Sequence, residues 1–205
     1  MTEKELKTFC PTSRQHWRKW LQEHHASQQS VWLIYYKKKS GRPTVGYSEA
    51  VDEALCFGWI DSQAKPIDEE TYRQFFSRRK PRSTWSKVNK EKVARLIAEG
   101  LMTPAGLNCI DAAKSNGSWT ILDEVEALLL PPDLEQALLQ SPPAKSYFLS
   151  LSRSDKRNML QWLVLAKRPA TRQRRMAELV ELAGQQLKPA QFRGRKKNAK
   201  PDAPA

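Results

Sequence analysis

The chain has 205 residues, 40% hydrophobic and 28% charged, enough apolar side chain for one sizeable domain or a domain with a smaller appendage and too much for a disordered protein. Its formal net charge of +13 favours anionic partners such as nucleic acid, phosphorylated metabolites or acidic lipid head groups, or marks a merely soluble basic protein. No apolar run approaches the roughly 20 residues of a membrane span, the first residues lack the apolar core of a signal peptide, and the three cysteines form no CxxC pair, which argues against a zinc site or a disulfide framework.

A cytoplasmic protein without metal or cofactor is therefore expected. From Lys188 onward there are six Lys/Arg and one Asp, so the body of the chain still carries +8.

In chain order, Thr12 or Ser13 can cap a first helix running to about His25, with Trp17, Trp20 and Leu21 on its buried stripe. His16, His24 and His25 lack an acidic or thiol partner at ligand spacing and read as solvated. Residues 31–38 are β-branched and aromatic, a buried strand that ends in a basic turn. Ser48 can cap the next helix, with Val51, Ala54 and Leu55 inward and Gly58 ending it. Residues 64–68 and 72–79 read as an antiparallel hairpin across an acidic turn, giving with the first strand a sheet of about three strands.

Ser83 or Ser86 caps a helix with Val88, Val93, Leu96, Ile97 and Leu101 inward, and residues 103–116 form another that ends at Gly117. Residues 119–130 connect to a short helix at 133–140. Ser152, with Asp155 three residues on, caps a helix burying Met159, Trp162, Leu163 and Ala166. Pro169 breaks or restarts it, and Met176, Leu179, Val180 and Ala183 form the last stripe. The fold expected is α+β: an N-terminal α+β domain over 1–130, a helical region over 131–187, and a basic, disordered tail over 188–205.

Residues 54–90 concentrate the chemistry. They open with Ala-Leu-Cys-Phe-Gly-Trp-Ile-Asp-Ser at 54–62 and close with Phe-Ser-Arg-Arg-Lys-Pro-Arg-Ser-Thr-Trp-Ser-Lys-Val-Asn-Lys at 76–90. Rings, guanidinium groups, hydroxyls and one Asp at this density suit a pocket for something polar, planar or anionic. Asp61 and Arg79 read either as a pair within such a pocket or as an ion pair pinning the hairpin to the helix. Ser83, Trp85, Ser86 and Asn89 at a helix N-terminus read as an anion seat or as ordinary capping. Cys56, beside Leu55 and Phe57, reads as a core thiol. Arg168, Arg172 and Arg175 fall at i, i+4 and i+7, a basic stripe that could grip nucleic-acid phosphates if the helix runs past Pro169, or could be a solvated face, or pair with Glu124 and Glu126.

The two blocks at 54–62 and 76–90, with His-Trp-Arg-Lys-Trp-Leu at 16–21 and Ala-Lys-Arg-Pro-Ala-Thr-Arg at 166–172, resemble the YdeI/OmpD-associated family, also labelled bacteriocin-protection proteins. The resemblance implies a role in stress and in resistance to bacteriocins or cationic antimicrobial peptides. It carries the motif positions onto Trp59, Asp61, Ser62, Phe76, Arg79, Ser83, Trp85, Ser86 and Asn89. This chain departs at Ser77-Arg78, where the family shows Thr-Pro. A protein at +13 repels a cationic peptide, so protection is expected to be indirect, through an intracellular ligand. Nucleic acid is the competing partner, and an enzyme centred on Asp61 the third reading.

Overall fold

A computed structural model describes residues 7–193. The chain divides after Thr120 into two compact units, and the α+β class holds: one four-stranded sheet and nine helices among the described residues. Among these residues no helix is long and apolar enough to cross a membrane.

The first unit begins with β1 (Thr8–Phe9) and α1 (Arg14–His24), the latter capped by Ser13, whose hydroxyl accepts from the His16 N–H. β2 (Ser30–Tyr36) follows, then α2 (Tyr47–Cys56), β3 (Trp59–Pro66) and β4 (Thr71–Arg78). The strand order is β1-β2-β4-β3, with β1 parallel to β2 and the other pairs antiparallel. The two-residue β1 supplies a strand beyond the three expected, too short to carry a sequence pattern of its own.

β3 starts at Trp59, five residues earlier than expected. Gly58, at φ +72°, turns the end of α2 straight into the strand, so residues 59–62 are sheet and not a helix exit. One face of the sheet, with Val31, Leu33, Tyr35, Trp59 and Phe76, packs into the core with Trp17 and Leu21 of α1 and with α2. On the other face Trp32 lies opposite Phe75, and the Arg73 guanidinium covers the Trp32 ring at 4.5 Å.

α2 is buried along residues 50–56, including the two adjacent acids Asp52 and Glu53. Its cap is not Ser48 but Gly46, whose N–H donates to the Glu49 carboxylate (3.0 Å); the Ser48 hydroxyl instead accepts from Lys92 (2.7 Å). α3 (Lys87–Ala98) is capped by Ser86, and α4 (Pro104–Ser115) by Thr103. On α3 only Val93 and Leu96 are buried, while Val88 and Ile97, expected inward, are exposed. The helix touches its neighbours along a narrow seam, so the outer edges of the apolar stripe stay in water.

The second unit is helical: α5 (Asp123–Glu126), α6 (Pro132–Leu139), α7 (Pro142–Ser150), α8 (Arg153–Val164) and α9 (Pro169–Gly184). Leu134, Leu138, Phe148, Met159, Leu160, Leu163 and Leu179 form its core. α7 was not among the expected helices. Pro142 and Pro143 occupy its first turn, where a missing N–H costs nothing. Trp162 and Ala166, expected inside, are half-buried. Pro169 ends any continuity between α8 and α9 and opens the new helix. Of the segment expected as a disordered tail, residues 188–193 are ordered: Lys188 bridges Asp155 (2.8 Å), and Phe192 meets Trp162 edge-on. The remainder lies outside the described residues.

Candidate functional site

The turn from α2 into β3 builds the site. Gly58 presents its carbonyl to the Arg79 N–H (2.9 Å), just past the end of β4, while strand register sets Arg78 opposite Trp59. Arg79 therefore lies directly beside Trp59, although 20 residues separate them in sequence. Together with Phe57, Ala105 and Cys109 they line a cavity of about 270 Å³. α4 supplies the last two, and it can approach because Gly106 has no side chain to strike α2.

Arg79 is only 8% exposed. Its guanidinium lies over the Trp85 ring at 3.6 Å, one amino group donates to the Thr84 carbonyl (2.7 Å), and its Nε–H has no partner. Among the described residues no carboxylate pairs with it. Burial pulls the guanidinium down to about 10, with Cys109 and Asp61 acting in the opposite direction; it stays charged at neutral pH. An unpaired, desolvated cation is costly unless an anion meets it. The Trp59 indole N–H, fully buried on the same wall, is also without a hydrogen-bond acceptor.

Asp61 is elsewhere. It shares the core-facing side of β3 with Trp59, just before the strand irregularity between Asp61 and Ala64. Its carboxylate accepts from the Tyr47 hydroxyl (2.8 Å) and from the Gln74 side-chain amide (3.0 Å), and no Asp61–Arg79 bridge forms. The expected ion pair is thus replaced by two neutral donors, because Gln74, buried on the next strand, reaches Asp61 first. Gln74 also donates to the Ser62 carbonyl (3.1 Å), while the rest of Ser62 is exposed.

The second block is held by local bonds. Ser86 caps α3 by accepting from the Asn89 N–H (3.3 Å), and the Ser83 hydroxyl donates to Lys80 (2.8 Å). Trp85 is buried against Trp119 and under Arg79, so it supports the guanidinium and does not border the cavity beside Trp59. The single pocket expected from Trp59, Asp61, Ser62, Arg79, Ser83, Trp85, Ser86 and Asn89 resolves into an Arg79–Trp59 cavity, an Asp61–Tyr47–Gln74 cluster and a helix cap. Cys109, which lines the cavity, carried no local signal, and His25, expected to be solvated, is half-buried on the same lining. Burial raises the Cys109 thiol, with Arg79 opposing the rise, and pushes Cys56 up to about 11. Both are protonated at neutral pH.

Burial, and then the bond to Asp61, pushes the Tyr47 hydroxyl up to about 12 from 10.0. An unfolded tyrosine loses its proton first, so this contribution to stability is complete below about pH 10 and fades as pH rises toward 12. Asp61→Asn keeps an acceptor oxygen for Tyr47 and is expected to change stability by no more than about 1 kcal/mol. It also lowers the Tyr47 titration, which ¹³C-tyrosine NMR follows directly. A variant that failed to fold would make Asp61 a structural pin.

In the second unit Arg172 forms a two-pronged bridge to Asp133 (2.9 and 2.8 Å), which holds that carboxyl below its usual range. Arg175 lies over Trp162 at 5.0 Å and donates to its carbonyl (2.5 Å), and Arg168 stands exposed at the N-cap of α9. The three arginines do not form one free stripe. Glu126, named as a partner for them, bridges Arg157 (3.1 Å). Among the described residues no group of three or more His, Cys, Asp or Glu is placed to hold a metal.

Compared with known families, residues 9–109 match a domain of unknown function, DUF8412, and residues 127–186 match the family described as bacteriocin-protection, YdeI or OmpD-associated. No curated protein and no solved structure gave a significant match. The motif block at 54–90 thus lies in the first matched region, and of the motifs quoted for the resemblance only residues 166–172 lie in the second. The likeness to the YdeI/OmpD-associated, bacteriocin-protection family is confined to residues 127–186, in the helical unit.

Proposed function

We propose that this is a cytoplasmic, stress-associated protein of the YdeI/OmpD-associated type whose first unit takes up a small anion at Arg79. Protection, which the family's description names, is then indirect, through that ligand. The observation carrying the reading is Arg79 itself: a guanidinium 8% exposed, stacked on Trp85, without a carboxylate, in the wall of a cavity. Phe57, Trp59 and Ala105 line the same space, which suits an anion with a planar or apolar body such as an aromatic carboxylate.

The test is thermal unfolding of the whole chain against a panel of aromatic carboxylates and inorganic anions, with Arg79→Met alongside. An anion present at a hundred times its Kd stabilises the folded protein by about 2.7 kcal/mol, and Arg79→Met should remove that gain while the ligand-free protein still folds. Methionine keeps much of the packing on Trp85 and relieves an unpaired buried charge. Equal stabilisation of wild type and variant would defeat the proposal.

A further inference from the structure

A second place in the molecule combines free cations with an aromatic wall, and it lies wholly within the helical unit. A cavity of about 390 Å³ runs along Trp162, Gln161, Asn158 and Phe192. An adjoining cavity of about 400 Å³ is lined by Lys167, Arg168 and Thr171. Leu165 and Arg175 belong to both, so the two cavities adjoin and are taken together as one open groove.

Its two ends differ in chemistry. At one, Trp162 is half-buried, braced edge-on by Phe192 at 5.8 Å, and flanked by the side-chain amides of Asn158 and Gln161, which offer both donors and acceptors. At the other, Lys167 and Arg168 are exposed, and among the described residues neither has an ion-pair partner. The contrast with Arg172 is informative. That arginine, one turn along α9, is neutralised by Asp133, whereas no carboxylate lines the groove. Arg175 joins the ends, its guanidinium over the Trp162 ring and one N–H committed to the Trp162 carbonyl. Its other N–H groups remain for a ligand.

An indole face flanked by amides fits a planar heterocycle with polar edges. Three cations and a hydroxyl in the adjoining cavity fit a phosphate. We propose that this groove binds a nucleotide, its base against Trp162 and its phosphate held by Lys167, Arg168 and Arg175. The groove's volume is within the range of small-ligand sites. The proposal also gives the Lys167 and Arg168 side chains a purpose that packing does not supply, since both are exposed and neither makes an ion pair among the described residues.

The experiment is calorimetric titration of the full chain with AMP, GMP, CMP and UMP, and separately with adenosine, inorganic phosphate and a single-stranded RNA decamer. At least one mononucleotide is expected to bind, with its nucleoside and inorganic phosphate each about tenfold weaker or more, since each forfeits one half of the contact. Lys167→Glu/Arg168→Glu alters only exposed side chains, should melt like the wild type, and should weaken the nucleotide at least about tenfold; Trp162→Leu should weaken it similarly. Binding that survives Arg79→Met and is lost in the charge-reversed variant belongs to this groove and stands apart from the anion site of the first unit. Loss in Arg79→Met with retention in the charge-reversed variant would assign the nucleotide to the other cavity and overturn the proposal. So would the absence of binding by every mononucleotide, or binding of the decamer alone.

Discussion

Gly106→Ala is expected to be the most damaging single-atom addition to the first unit. A β-carbon there would stand 2.3 Å from the Cys56 carbonyl oxygen and 2.7 Å from the Met102 methyl. The methionine can swing away; the carbonyl cannot. Cys56 ends α2 and its oxygen already accepts from both the Thr103 N–H (3.1 Å) and the Thr103 hydroxyl (2.6 Å), which start α4. Retreat from the new methyl would break the junction that holds the two helices together and aligns the Arg79 cavity. Overpacking a core costs about 1–3 kcal/mol where side chains can yield, and opposition by backbone puts this case at about 3 kcal/mol or more. Urea unfolding at fixed slope gives the figure. Gly100→Ala is the control: its φ of +68° brings strain, but nothing stands within 4 Å, so a loss of about 1 kcal/mol from strain alone is expected there. A loss at Gly106 no larger than that at Gly100 would show that α2 and α4 yield to the added methyl, since Gly106 sits within α4 and carries no left-handed strain of its own.

What the sequence disclosed was mostly local. Ser13 and Ser86, each one of two candidates, and Ser152 cap the helices they seemed placed to cap, because a cap is decided by a hydroxyl and an N–H three residues on. The α+β class followed from equally local signals, namely a β-branched and aromatic run at 31–38 and apolar spacing elsewhere. The errors fall where distant groups compete. Ser48 was a plausible cap, but Glu49 satisfies Gly46 and Lys92 claims the serine. Asp61 had an obvious cation in Arg79, yet Gln74 and Tyr47 stand closer once the strands pair. Trp59 and Trp85 both belong to the motif blocks, but only one faces the cavity. Cys109 joins the site through helix packing, which no motif announces.

This division bears on how the first unit works. Had Asp61 paired with Arg79, the guanidinium would be satisfied and the cavity electrostatically inert. With Asp61 occupied by neutral donors, Arg79 keeps its charge available while Trp85 and the Thr84 carbonyl fix its direction. On the proposed reading an anion would meet a guanidinium already held in place, which lowers the ordering cost of binding.

The last expectation concerns the acids inside α2. Glu53 is 2% exposed and is met by Arg14 (2.5 Å) and Arg18 (2.6 Å) of α1, while Asp52, next to it, is met by Lys92 (2.6 Å) and Arg95 (2.5 Å) of α3. Adjacent positions on a helix point about 100° apart, so the two carboxylates clamp α2 to one neighbour each. Arg18 does more than pair: it donates to the Leu101 carbonyl (2.9 Å) and lies over the Phe57 ring at 5.4 Å, tying α1 to the segments that border the cavity. Arg18→Met leaves Glu53 buried with one cation in place of two. Breaking a buried pair costs about 3–5 kcal/mol; the surviving Arg14 should hold the loss to about 3 kcal/mol. Replacing the acid as well distinguishes pairing from packing. In a Glu53→Leu background no carboxylate remains to be stranded, so Arg18→Met should cost at least about 1.5 kcal/mol less than in the wild type. A double-mutant cycle by chemical denaturation measures that difference. If the loss were the same in both backgrounds, Arg18 would be acting through Leu101 and Phe57 alone, and the clamp on α2 would rest on Arg14.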